Sequence, residues 1–384
     1  MNLSPRRLLS CLLLSAGLAA CGGGDGGSGQ GDDGGVVLPR GGETITVTRA
    51  ECNPFGNAPR PRNDLLNELQ TGLTLCPGGR RLDDWKDGNG STRRACLYDS
   101  GDASEARKLP LVVFLQGSMI PTDLQLPVTN LLPALGSADL TGDPARPGFI
   151  LLQPVGRITD HFYPLPNSSN TIGWDVWYRQ MIDVAGGCEV NGERHAINAD
   201  AATIDHYIAE QVATGRVDTS RIYLVGWSNG AALALLYGQN RPEVAAVFMY
   251  SGPDPYDSLN DPCGQRPVRG RVRNDTELQV FNPGIPVLHL QNNCDIYASC
   301  PNGLALRDKL QSGGTADIRH QVLTGLPLQS ATDSCRASCG ADPRGDGSLL
   351  QLEAMTVGIA NHLAWPFGWR EDIFAFLREH PRVK

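Results

Sequence analysis

The chain is predicted to be an α/β protein: a mostly parallel sheet with helices on both faces, held in part by disulfides. Three observations predict this. Short unbroken apolar runs recur from residue 110 onward, and segments with apolar residues at helical spacing alternate with them. Strands buried on both faces read as such runs, and strand–helix alternation marks a parallel sheet covered by helices. The third is cysteine usage: the chain has 11 cysteines behind a terminus that looks like an export signal.

Composition sets the outer bounds. A length of 384 residues suits one large α/β domain or two modest ones, and 41% hydrophobic with 19% charged residues is ordinary for a globular protein. A net charge of -8 without a Lys/Arg cluster argues against nucleic acid as a partner. No internal repeat at solenoid periods occurs.

Residues 1–20 read as a signal peptide. Arg6-Arg7 precede the apolar "LLSCLLLSAGLAA", which is too short for a stable membrane span. The segment Leu18-Ala19-Ala20-Cys21 resembles the bacterial lipobox, in which the chain is cut before a cysteine that receives lipid. That resemblance implies a membrane partner through a lipid anchor at Cys21, and Gly22 after it implies the outer membrane. An ordinary secretory signal ahead of a secreted protein is the alternative. Lipid chains partition at roughly 0.8 kcal/mol per buried CH₂, so several on one cysteine anchor firmly.

Residues 21–43 are the expected tether. "GGGDGGSGQGDDGG" has almost nothing to bury and spans roughly 20 Å as a random coil. With Cys11 lost in the signal and Cys21 acylated, nine cysteines remain, an odd number that leaves at least one unpaired or bridging chains. Cys294/Cys300 and Cys335/Cys339 are the nearest neighbours and are expected as local bridges. No CxxC and no histidine at ligand spacing occur, so no metal is expected, and no cofactor.

The catalytic domain is placed at 44–384, with an irregular N-terminal extension over 44–107 in which "ETITVT" and "RRACLYDS" read as strands. "LPLVVFLQGS" and "GFILLQP" follow as buried strands. "DAATIDHYIAEQVATG" is a helix with Asp200 as its expected N-cap. "RIYLVGWS" is a strand and "GAALALLYGQN" a helix. "EVAAVFMYSGP" and "IPVLHLQN" are strands, "NGLALRDKLQSGG" a helix, "IRHQVL" a strand and "WREDIFAFLREH" a closing amphipathic helix.

Between "RIYLV" and "AALALLYG" stands Gly226-Trp227-Ser228-Asn229-Gly230, a G-x-S-x-G pattern at a strand-to-helix turn. A residue at so sharp a turn is crowded from both sides, which small neighbours at 226 and 230 relieve. Its hydroxyl is held at the sheet edge over a helix N-terminus. A serine that merely caps the helix is the other reading.

"VDTSRIYLVGWSNGAALAL" resembles the nucleophile elbow of the α/β-hydrolase superfamily. More narrowly it resembles secreted polyhydroxybutyrate-depolymerase-like and feruloyl-esterase-like carboxylesterases, over roughly residues 108 to 378. Val217, Asp218, Arg221, Ile222 and Tyr223 match the pattern before the elbow, and Ala231 replaces the second glycine of the family's Gly-Gly. The resemblance implies the α/β-hydrolase fold and an ester substrate, small or polymeric.

A serine hydroxyl needs a base and an orienting acid, and in this fold the order is Ser, acid, His. His320, His362 and His380 follow Ser228 with room for an acid between. His320 lies inside a strand and His380 at the end of the last helix, expected at the surface. His362 lies in a Gly/Asn/Pro loop, and Asn361-His362-Leu363-Ala364-Trp365-Pro366 resembles the family's Gly-His-x-Trp-Pro with Asn for Gly and one residue more. For the acid, Asp295 keeps the place of the family's His-Gly-x-x-Asp, although Gln291-Asn292 replaces His-Gly; Asp254 after the preceding strand is the alternative. Asn229 N–H and Ser118 N–H, with Gly117 beside it, are the expected oxyanion donors. Gln116 stands where the family has His. Trp227, Trp174 and Trp365 are candidate substrate contacts; Trp174 and Trp177 serve equally well as core.

The expected function is thus an exported serine esterase working through an acyl-enzyme on polyhydroxyalkanoate-type or feruloyl/acetyl-type esters. The lack of an evident binding module leans toward smaller substrates. A prolyl-oligopeptidase-like serine peptidase is one alternative, although residues 43–384 leave no room for that family's propeller. A non-catalytic surface binding lipoprotein is the other, motivated by the departures at Gln116, Gln291-Asn292 and Asn361.

Overall fold

A computed structural model of the chain describes residues 71–88, 90–118, 120–158, 172–174, 176, 188–190, 193–195, 198–252, 255, 282, 284–292, 295, 302–315, 317–323 and 360–383. Its centre is an eight-stranded sheet. The strands are β1 (Arg80–Arg81), β2 (Ala95–Tyr98), β3 (Leu109–Leu115), β4 (Ile150–Pro154), β5 (Val217–Trp227), β6 (Ala246–Tyr250), β7 (Val287–Asn292) and β8 (Ile318–Leu323). They lie in the order β1-β2-β4-β3-β5-β6-β7-β8. From β4 to β8 every neighbouring pair is parallel, whereas β1 and β2 pair antiparallel at one edge. This is the α/β-hydrolase fold that the elbow motif leads one to expect.

Side chains of a strand point alternately to the two faces, so each apolar run feeds two cores. On one face Leu111, Val113, Leu115, Leu224, Val247, Met249 and Val287 pack with helices α1 (Ala199–Ala213), α2 (Asn229–Gln239) and α3 (Asn302–Ser312). On the other Val112, Phe114, Tyr223, Val225, Phe248 and Leu290 pack with α4 (Arg370–Glu379) through Ile373, Phe374, Phe376 and Leu377. Every residue of α2 is buried, which accounts for the near absence of polar residues in "AALALLYG".

Two local expectations are corrected. Asn198, not Asp200, caps α1: its side chain accepts from the N–H groups of Asp200 and Ala201. Asp200 is instead fully buried against Arg93, which also pairs with Asp87, tying the N-terminal extension to α1. His380 is half-buried rather than surface, bonded to Phe376 O and Asp317. The observed disulfide joins Cys76 to Cys96, across a separation of 20 residues. The expected pairs Cys294/Cys300 and Cys335/Cys339 lie outside the described residues, as do Cys21, the tether and "ETITVT".

Candidate active site

At the end of β5 the chain turns into α2 through Ser228, whose φ of 56° and ψ of -122° are strained for an L-residue. The sheet holds it there: Ser228 N–H donates to Tyr250 O at 2.8 Å. The flanking glycines are required by space. A Cβ at Gly226 would stand 2.5 Å from Ala231 Cα, and one at Gly230 would stand 2.2 Å from Leu115 O and 2.3 Å from Gln116 O. Ala231, which departs from the family's Gly-Gly, fits because position 252 is glycine; a Cβ there would lie 2.8 Å from Ala231 Cβ.

Two further chain segments converge on this hydroxyl. His362 Nε2 lies 2.7 Å from Ser228 Oγ, and His362 Nδ1 lies 2.9 and 3.0 Å from the two carboxylate oxygens of Asp295. Asp295 is fully buried, and Ser228 and His362 nearly so. With Nδ1–H donated to the carboxylate, Nε2 is left to accept the serine proton. Asp295 follows β7 in a turn closed by its own N–H to Asn292 O at 3.1 Å. His362 ends a helical turn over 360–362 rather than sitting in open loop. The rival acid Asp254 lies outside the described residues. His320 lies on β8, and His380 at the end of α4 bonds to Asp317.

The segment carrying His362 is held from below. Trp227 Nε1–H donates to His362 O at 3.0 Å. Tyr250 O–H donates to Ala364 O, with Asn361 O at 3.3 Å. Burial, reinforced by the Asp295 carboxylate, pushes the Tyr250 phenol well above its ordinary pKa, so it stays a donor. Trp365 N–H bonds Asn130 Oδ1 at 3.1 Å, and its ring sits among Phe114, Trp227, Phe248 and Tyr250.

These contacts correct the reading of the tryptophans as substrate contacts. Trp174, Trp227 and Trp365 are 0%, 1% and 3% exposed. Trp174 donates its indole N–H to Gln116 O, and its backbone exchanges two bonds with the Asn229 side chain. Each ring supports the site from beneath. Trp177 lies outside the described residues.

On the oxyanion side Asn229 is the first residue of α2, where N–H groups have no acceptor within the helix. Gly117 N–H donates to Gln125 Oε1 at 2.5 Å and is therefore engaged. Ser118 is half-buried in the same turn. Gln116 points away from this place: its Oε1 accepts from Thr122 Oγ1 and its Nε2 faces Ile120 O at 3.5 Å. Gln125 was not foreseen; nothing in "TDLQ" marks it.

No protein-family model and no curated protein matches the chain. Among solved structures it is similar to a thermostable esterase, with TM-score 0.43 and 18% identity, covering 80% of this chain and 64% of that one. It is also similar to a ferulic acid esterase (TM-score 0.41, 13% identity, covering 64% and 90%). An acylaminoacyl peptidase of Pyrococcus horikoshii gives TM-score 0.41 and 10% identity, covering 85% and 45%. The chain thus spans less than two thirds of the length of the first and the last of these.

Proposed function

We propose that this α/β-hydrolase-fold chain is a serine esterase that cleaves carboxylic esters through an acyl-enzyme. The observation that carries the reading is the Ser228–His362–Asp295 relay, with contacts of 2.7 Å and 2.9 Å between groups separated by 134 and 67 residues in sequence. Ser228 Oγ attacks the ester carbonyl carbon as its proton passes to His362 Nε2. Asp295 accepts from Nδ1–H throughout, which fixes the ring and stabilises the imidazolium. The oxyanion takes hydrogen bonds from Asn229 N–H and Ser118 N–H, each donor contributing a few kcal/mol. Collapse breaks the C–O bond to the alcohol, which leaves with the proton from His362. Water, deprotonated by the same ring, then releases the acid and restores Ser228.

The departures that motivated a non-catalytic reading leave the Ser228–His362–Asp295 contacts intact: Gln116 bonds within its own loop, and Asn292 and Asn361 bond to each other beside the relay. The sequence features at residues 1–43 support an exported protein anchored at Cys21, and the resemblance around the elbow supports esters of the polyhydroxyalkanoate or feruloyl/acetyl type. Turnover of p-nitrophenyl acetate by wild type and by Ser228→Ala tests the reading. The variant is expected to lose at least 10³-fold in kcat while keeping its circular dichroism; equal turnover by the two proteins rejects it.

A further inference from the structure

We infer that Asn292 and Asn361 form a positioning pair that holds the acid-bearing and base-bearing segments of the relay in register. The inference rests on the esterase reading above. In sequence, these asparagines are two separate departures from glycine in the family pattern, one three residues before Asp295 and one directly before His362. In the fold they meet. Asn292 Nδ2–H donates to Asn361 Oδ1 at 2.8 Å, between side chains that are 0% and 1% exposed.

Each partner also holds its own segment. Asn292 O accepts from Asp295 N–H at 3.1 Å, and Asn361 O accepts from Ala364 N–H at 3.3 Å. The backbone of each asparagine therefore shapes the turn that presents a relay residue, and its side chain reaches across to the other turn. Glycine at either position would remove the amide–amide bond that joins the two turns and weaken the coupling between the segments that carry Asp295 and His362. A buried amide–amide bond between two turns narrows the range of separations that His362 and Asp295 sample, and reacting groups displaced by even an ångström lose rate steeply. The two departures from the family pattern are thereby one compensating feature rather than two weaknesses.

The test is a double-mutant cycle on the full chain with Asn292→Ala, Asn361→Ala and the double variant. It reads kcat and KM for p-nitrophenyl acetate, the rate of labelling by a small fluorophosphonate, and the melting temperature. Each single variant is expected to lose roughly five- to tenfold in kcat and in labelling rate, with KM within about twofold. The double variant is expected to fall no more than about twofold below the weaker single, because both changes break one bond. Losses that multiply in the double variant, a change in KM at constant kcat, or rates equal to wild type overturn the pair. If the alanine variants do not fold, serine at the same positions also removes the amide bond and supplies the same cycle. A wild type that fails to react with the fluorophosphonate rejects the esterase reading itself; a wild type that reacts, alongside variants that match it, rejects the pair alone.

Discussion

Trp227 Nε1–H donates to the carbonyl oxygen of His362 at 3.0 Å, so the residue beside Ser228 holds the segment of His362 across 135 positions of sequence. The variable residue of the G-x-S-x-G pattern is therefore a support for the histidine segment rather than a substrate contact. Trp227→Phe keeps an aromatic ring beside Trp365 and Tyr250 and deletes the donor, along with some of the indole's buried volume. Steady-state kinetics are expected to show kcat lower by about five- to tenfold with KM little changed. A variant in which KM rises and kcat holds would return Trp227 to the substrate side.

The elbow stores strain at Ser228 and relies on glycine at 230. Ser228→Gly replaces a strained residue by the one that tolerates positive φ, and urea unfolding is expected to show a gain of about 1 kcal/mol in an inactive protein. Gly230→Ala should act in the opposite sense, because its Cβ would meet the backbone oxygens of Leu115 and Gln116. A loss above about 2 kcal/mol, with activity lost as well, is expected. Equal stability of both variants and wild type would contradict the packing described for this turn.

Acid should weaken the fold through two histidines outside the relay. Burial, with Arg307 adding to it and Asp308 opposing, pushes His320 down to about 4, and burial beside His320 pushes His289 well below the ordinary histidine value. A folded pKa below the unfolded one means that the unfolded chain binds more protons under about pH 6.5. Stability is thus complete above about pH 6.5 and falls as pH drops toward 4. Urea midpoints at pH 7 and pH 4.5 are expected to differ less in a His289→Leu/His320→Leu variant than in wild type. An identical acid loss in both proteins would remove these histidines from the account.

The Cys76–Cys96 bridge closes a 20-residue loop and ties the start of the described chain to β2. Loop-closure entropy assigns such a bridge about 3 kcal/mol. Cys76→Ala/Cys96→Ala should lower the melting temperature by several degrees, and a reductant should then have no further effect on that bridge. A variant that melts with wild type would show the bridge to be idle.

Much of the site was legible because its parts obey local rules. β3, β5, β6 and β7 are buried on both faces, so their apolar runs stand out, and the turn at Ser228 demands small residues that the sequence displays. Chain order and the post-strand turns left Asp295 and Asp254 as acids and a loop histidine, His362, as base, and the family resemblance favoured Asp295 and His362. What was hidden depends on contacts between distant segments. The partner of Cys76 is decided by the pairing of β1 with β2, which no spacing encodes. Asn198 and Asp200 are both good caps two positions apart, and Asp200 yields because Arg93 binds it from another element. Tryptophans near a motif suit a rim or a core equally, and only burial distinguishes them. Gln125 holds the Gly117 amide through a bond that its flanking residues do not announce.

The most direct measurement is reaction with a fluorophosphonate followed by peptide mass mapping, on wild type and on His362→Ala. The account expects one adduct per chain at Ser228 in wild type, and labelling slowed by at least 10³-fold when the imidazole is gone. An adduct elsewhere, or equal labelling with and without His362, would contradict it.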